Sequence, residues 1–131
     1  MATACIPDQE PTDQIAGHDC IVAGWGDTLA NPSNPDDTLL KATVRVMEDE
    51  KCKRLNNMPD GILCTEKADH YACSRYGDSG GPLNCLINQR WYVYGVISFG
   101  KSAICDDDSV DMYARTSYFS KWIWDTIERD A

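Results

Sequence analysis

The sequence lacks the features that would direct it to a membrane or to nucleic acid. Across its 131 residues no hydrophobic run reaches the length of a transmembrane helix, and no apolar stretch near the N-terminus has the character of a secretion signal. Lysine and arginine total 12 against 21 aspartate and glutamate residues, for a formal net charge of −9. Nucleic-acid binding needs clustered basic residues, so that class of partner is excluded.

Histidine is scarce, with only His18 and His70, and no two cysteines form a C-x-x-C pair. Structural zinc sites draw on closely spaced cysteine and histidine ligands, so neither the histidines nor the cysteines have the spacing of a zinc site. Seven cysteines in so short a chain instead favour a disulfide framework. Disulfides persist in oxidising compartments, so the cysteines indicate an extracellular protein. The sequence implies no metal and no cofactor.

Short strands separated by glycine, proline and polar turns predict one all-β domain over residues 1–131. Glu48–Leu55 has the character of one or two helical turns, residues 65–78 and 100–111 are predicted as polar loops, and residues 116–131 hold a terminal helix over Ser117–Glu128. This order is typical of an antiparallel barrel or sandwich. The predicted strands are Cys20–Trp25, Leu39–Met47, Ile62–Cys64, Pro82–Ile87, Trp91–Phe99 and Met112–Arg115.

The most unusual stretch is Gly77-Asp78-Ser79-Gly80-Gly81-Pro82. Its glycines allow backbone N–H groups and a serine hydroxyl to converge on one point, as acyl transfer requires. The nucleophile elbow of α/β-hydrolases would need a helix after the turn, but Pro82–Ile87 predicts a strand. Two interpretations remain, the nucleophile loop of a serine peptidase and a glycine-rich turn with a solvated serine.

The chain as a whole resembles the C-terminal half of chymotrypsin/trypsin-like serine peptidases. The resemblance runs over nearly all of the chain in the family's order, and no stretch is similar to the family's N-terminal half. Besides the serine motif it rests on Cys5-Ile6-Pro7, Cys20-Ile21-Val22-Ala23-Gly24-Trp25-Gly26, Val96-Ile97-Ser98-Phe99-Gly100 and Tyr113-Ala114-Arg115 before a tryptophan-rich helix. It implies a six-stranded Greek-key barrel with a C-terminal helix. It also implies three disulfides that leave Cys5 without a partner in the chain, namely Cys20–Cys85, Cys52–Cys64 and Cys73–Cys105.

The resemblance assigns Ser79 as the nucleophile that forms an acyl-enzyme. It assigns the backbone N–H groups of Gly77 and Ser79 to the developing oxyanion, and a glycine at position 77 leaves the peptide plane free to turn toward it. In active relatives the acid at the position of Asp78 pairs with the α-amino group that zymogen cleavage releases, and this pair orders the loop. No such N-terminus is visible in this sequence, so we expect Asp78 to be solvated or paired otherwise.

The same resemblance implies a substrate-binding region. Ser98-Phe99-Gly100 is similar to the strand that pairs with the substrate backbone, although core packing is an alternative for Phe99. At the position where trypsins carry the pocket acid this chain has Tyr71. Asp111 stands where a few relatives place that acid instead, Asp69 is a second candidate, and an exposed loop carboxylate is the alternative for Asp111. An acid in the pocket would favour Arg or Lys beside the cleaved bond.

The general base is the missing part, because the family's His and Asp come from the N-terminal half. His18 and His70 match no family role and are interpreted as surface residues. The sequence therefore predicts the C-terminal part of a secreted serine endopeptidase that acts on peptides or proteins and is inactive unless complemented. The alternatives are a non-catalytic binding or scaffold protein on the same fold, and a half-barrel that self-associates through its uncovered face.

Overall fold

The computed structural model describes residues 3–8, 14–25, 39–56, 59–68, 78–100 and 110–130. The cysteines of the predicted Cys73–Cys105 bond lie outside these ranges. The elements are β1 (Asp19–Gly24), β2 (Leu40–Val46), α1 (Asp49–Asn56), β3 (Ile62–Lys67), β4 (Pro82–Ile87), β5 (Arg90–Gly100), β6 (Val110–Arg115) and α2 (Ser120–Arg129).

The six strands form a closed antiparallel barrel in the order β1-β2-β3-β6-β5-β4. The barrel closes where β4 returns to β1, with Ile21 opposite Asn84 and Val22 opposite Leu83. Closure leaves no free sheet edge along the paired lengths of the strands. The predicted barrel with a terminal helix is confirmed.

Several predicted boundaries are wrong by a few residues. Thr65–Lys67 is not loop but the second half of β3, paired with both β2 and β6. Val110 and Asp111, also predicted as loop, begin β6. These residues adopt strand conformation because neighbouring strands satisfy their backbone hydrogen bonds. This tertiary effect outweighs the preference for a loop that their local sequence suggests. α2 begins at Ser120 rather than Ser117, because Thr116 still donates its backbone N–H to the carbonyl of Tyr94.

The barrel interior is filled by alternate side chains from all six strands. Tyr113 is the largest fully buried side chain, and its hydroxyl lies 2.8 Å from Oγ1 of the buried Thr65. This hydrogen bond compensates for taking both hydroxyls out of water. The other main contributors to this cluster are Cys20, Val22, Val44, Val46, Leu63, Leu83, Cys85, Tyr94 and Ile97.

A second apolar cluster lies under α1, on the outer side of β3 and β6. A disulfide joins Cys52 of α1 to Cys64 of β3. Beside it Nη2 of Arg115 lies 3.2 Å from Oδ1 of Asp49, and the two side chains are 3% and 10% exposed. Among the described residues, α1 is therefore attached to the barrel by this disulfide, by the buried ion pair and by a more exposed pair of Lys51 with Glu66 of β3. The cluster consists of Met47, Cys52, Cys64, Val110 and Met112.

The remaining cysteines follow the sequence-based expectation where they are described. A disulfide joins Cys20 of β1 to Cys85 of β4, two strands that are also hydrogen-bonded neighbours. Cys5 forms no disulfide with the described cysteines and is partly buried. Its backbone N–H donates to the carbonyl of Trp91, and its carbonyl accepts from the N–H of Val93. The segment around Cys5 thus covers the end of β5 that extends beyond β6.

Candidate active site

Ser79 lies exposed at one end of the barrel, in a turn fastened to β5. The N–H of Gly80 donates to the carbonyl of Ile97 at 2.8 Å, and the N–H of Ile97 donates to the carbonyl of Gly81 at 2.9 Å. Gly80 has a φ of 86°, a value that a residue with a side chain would adopt only under strain. The glycines therefore allow Ser79 to be exposed to solvent at the end of the barrel, while Gly80 and Gly81 remain hydrogen-bonded to β5.

This anchoring brings Ser79 next to the segment predicted to bind substrate, nineteen positions away in the sequence. Ser98 follows Ile97 directly, at an irregularity in the pairing of β5 with β6 between Ile97 and Phe99. Ser98, Phe99 and Gly100 are all exposed, and Phe99 retains 43% of its accessible surface. Core packing, the alternative for Phe99, is therefore wrong.

Within the described residues, the backbone of residues 98–100 pairs with a strand on one side only. On that side Gly100 lies opposite Asp111 of β6. On the other side β4 begins at Pro82, opposite Val96, and no strand in the described ranges continues beyond it. An extended peptide adds readily to a strand edge of this kind, because the unpaired N–H and C=O groups supply its hydrogen bonds.

Asp111 lies behind this edge and is only 5% exposed. Because strand side chains alternate, Asp111 shares the inner side of β6 with Tyr113, whereas Met112 belongs to the cluster under α1. Burial, with a smaller contribution from the Asp111 charge, raises the pKa of the Tyr113 hydroxyl. The alternative of an exposed loop carboxylate is wrong, since Asp111 is a buried acid in a strand opposite Gly100.

Asp78 is partly buried against the end of β1. Its carboxylate occupies the position that a side chain of Gly24 would take, so the two residues are in direct contact. Its backbone carbonyl accepts a hydrogen bond from Gly81 at 3.0 Å. The sequence placed Gly24 within a motif of the family resemblance and gave it no role of its own. One sequence feature could have indicated this contact. A glycine at the end of an apolar run often marks a place where another backbone or side chain approaches closely.

The model of the family described as Trypsin matches residues 1–123. The chain belongs to the trypsin family. A protein of the dog, Canis lupus familiaris, named "Hepatocyte growth factor activator serine proteases" is 35% identical over an alignment of 129 residues, and the match covers 94% of this chain. The chain spans 19% of that protein's length. It is thus a trypsin-like serine-protease domain, and two of its cysteine pairs form disulfides.

One of the two histidines of this trypsin-family chain is described. His18 is exposed and precedes β1, whereas the contact with Asp78 is at Gly24, where β1 ends. Six residues of extended strand separate the two points by about 20 Å. His18 therefore does not reach Ser79.

The other predicted site residues, Gly77, Tyr71, Asp69 and His70, lie outside the described ranges. Within those ranges no group of three or more His, Cys, Asp or Glu side chains is arranged to hold a metal ion. Neither α1 nor α2, the helices in the described residues, has the length and apolar character needed to cross a membrane.

Proposed function

We propose that this chain is the C-terminal part of a secreted trypsin-like serine endopeptidase. In this proposal Ser79 passes its proton to the general base and attacks the peptide carbonyl, the C–N bond breaks as the amine leaves with that proton, and water then hydrolyses the acyl-enzyme. The N–H groups of Gly77 and Ser79 stabilise the oxyanion. The observation that carries the proposal is that the exposed Ser79 lies beside residues 98–100, a strand edge paired on one side only within the described residues, in a chain of the trypsin family. A peptide paired with that edge would lie next to the nucleophile.

Residues 98–100 supply the positioning in this mechanism. Backbone hydrogen bonds to Ser98 and Gly100 would hold an extended substrate without regard to its sequence. Fixing the carbonyl against the hydroxyl converts a bimolecular encounter into an intramolecular reaction, which lowers the barrier substantially. Gly100 leaves room for a substrate side chain to pass inward, toward Asp111.

Asp111 would set the preference for a basic residue beside the cleaved bond. A carboxylate with 5% exposure has little water to screen it, so a guanidinium or ammonium group entering from the side of Gly100 would gain a charge-assisted hydrogen bond. Tyr113, next along the inner side of β6, keeps its proton to higher pH because its pKa is raised, and so adds no competing negative charge. The proposed substrate class is therefore peptides with Arg or Lys at this position.

The general base must come from outside the described residues, because His18 lies at the far end of β1. We assign it to a preceding N-terminal part that carries the family's His and Asp, without which the chain is inactive. Exposed apolar side chains on the barrel and on α2 are available to such a partner. They include Trp25, Leu39, Leu40, Trp122, Trp124 and Ile127.

The second candidate is a non-catalytic binding or scaffold protein on the same fold. The distance between His18 and the Ser79 loop favours it, because a serine hydroxyl without a base is a weak nucleophile. The sequence encoded upstream of residue 1 distinguishes the two functions. A segment resembling the family's Ala-Ala-His-Cys favours the enzyme, and its absence favours the binding protein.

The direct test is labelling of Ser79 with a fluorophosphonate probe, with and without the upstream polypeptide. We expect labelling only when the partner supplies the His and Asp, and we expect Ser79→Ala to abolish it. A burst of product from an arginine or lysine ester with the isolated chain would contradict the assignment of the base. Absence of labelling in the complemented protein would favour the binding protein.

A further inference from the structure

Gly24, at the end of β1, is in closer contact with Asp78 than any residue with a side chain could be. A Cβ added at Gly24 would overlap Oδ1 of Asp78 and would lie 2.9 Å from its Cγ. Real Cβ atoms essentially never approach other heavy atoms this closely. The Asp78 carboxylate therefore lies directly against the bare backbone of β1.

The backbone of Asp78 is held by a separate contact. Its carbonyl accepts the N–H of Gly81 at 3.0 Å, and a Cβ at Gly81 would stand 3.0 Å from the same oxygen. Gly80 and Gly81 are in turn hydrogen-bonded to the backbone of Ile97 in β5. Ser79 is thus exposed between two anchored neighbours. The side chain of Asp78 contacts β1, and the backbone of residues 80–81 is hydrogen-bonded to β5.

We propose that Gly24 is a positioning residue, whose missing side chain lets Asp78 lie against β1 and thereby sets the direction of the Ser79 hydroxyl. The inference rests on the proposed role of Ser79. A methyl group at position 24 would displace the nearer carboxylate oxygen by about 1.4 Å before ordinary contact is restored. Because Asp78 adjoins Ser79, a displacement transmitted through its backbone moves the hydroxyl relative to residues 98–100. A misplacement of that size can slow an enzymatic reaction about 100-fold.

A double-mutant cycle on Gly24→Ala and Asp78→Ala tests this inference. The added methyl lies 3.6 Å from the Cβ of residue 78, which is an ordinary contact. The collision therefore depends on the carboxylate and disappears in the double variant. We expect Gly24→Ala alone to slow fluorophosphonate labelling of the complemented protein about 100-fold, and to add nothing when Asp78 is already alanine.

Hydrogen exchange provides a readout that does not depend on Ser79 acting as a nucleophile. In the 131-residue chain, Gly24→Ala should speed exchange of the Gly81 amide about tenfold or more, because the bond to Asp78 is disturbed. The matched control is Gly95→Ala, which places a methyl 2.8 Å from the Cβ of Tyr113 inside the barrel. It should lower overall stability without a selective effect at Gly81.

The two readouts separate this inference from the proposed function. If the wild-type protein does not label but Gly24→Ala still speeds exchange at Gly81 selectively, the role of Ser79 fails and the contact between Gly24 and Asp78 stands. If Gly24→Ala leaves exchange unchanged, or its effect simply adds to that of Asp78→Ala, the inference is overturned. Should Gly24→Ala fail to fold, the double variant still decides the question, because it must fold as well as Asp78→Ala does.

Discussion

Removing the carboxylate of Asp49 should destabilise the protein strongly. Oδ1 of Asp49 accepts from Nη2 of Arg115 at 3.2 Å, and the Arg115 side chain is only 3% exposed. At an effective dielectric constant of 20, two unit charges at this distance attract by about 5 kcal/mol. Breaking a buried pair at one partner typically costs about 3 to 5 kcal/mol, because the remaining charge stays desolvated. We expect Asp49→Ala to lower the free energy of unfolding by that amount.

The matched control is the exposed pair within α2. Nζ of Lys121 lies 2.5 Å from Oδ2 of Asp125, a shorter distance, but the two side chains are 77% and 59% exposed. Water screens such a pair and holding its long side chains costs entropy, so Asp125→Ala should leave stability almost unchanged. If the distance between the charges alone set the loss of stability, Asp125→Ala would cost more than Asp49→Ala.

Urea unfolding followed by tryptophan fluorescence measures both variants under the same conditions. A third variant, Asp49→Leu with Arg115→Met, replaces both charges by apolar groups and should recover much of the loss. The reasoning fails if Asp49→Ala and Asp125→Ala cost the same. It also fails if the double replacement is worse than Asp49→Ala alone.

Two further predictions concern ionisable groups on the inner side of β6. Burial raises the pKa of Tyr113, so above about pH 10 the unfolded chain loses this proton before the folded chain does. The free energy of unfolding should then fall with rising pH by up to about 1.4 kcal/mol per pH unit. Tyr113→Phe should remove this slope. The control Tyr118→Phe changes an exposed ring and should keep the slope. Urea titrations between pH 8 and 11 measure this, and equal slopes in both variants would refute it. In the complemented protein, Asp111→Asn should lower kcat/KM for an arginine substrate relative to a phenylalanine substrate about 10- to 100-fold, whereas Asp19→Asn on the exposed start of β1 should not. Equal effects of the two substitutions on this ratio would exclude Asp111 from the pocket.

Features with a local or periodic cause were predictable from the sequence. The alternation in Leu39–Met47 corresponds to β2, and Pro82–Ile87 is β4 as predicted. Two disulfides expected from the family resemblance, Cys20–Cys85 and Cys52–Cys64, are present. Strand ends were less predictable, because the extension of β3 through Thr65–Lys67 depends on partners from distant parts of the chain.

The sequence by itself determined the class of fold and the serine among glycines, because strand periodicity and turn chemistry are encoded within a few neighbouring residues. It indicated the family through the motifs that resemble those of serine peptidases. Only the tertiary structure decided that Asp78 lies against Gly24 and that Ser79 stands beside residues 98–100. It also decided that Asp111 is a buried acid rather than a loop carboxylate. These relations join residues far apart in the chain, and they arise from the register in which the six strands close into a barrel.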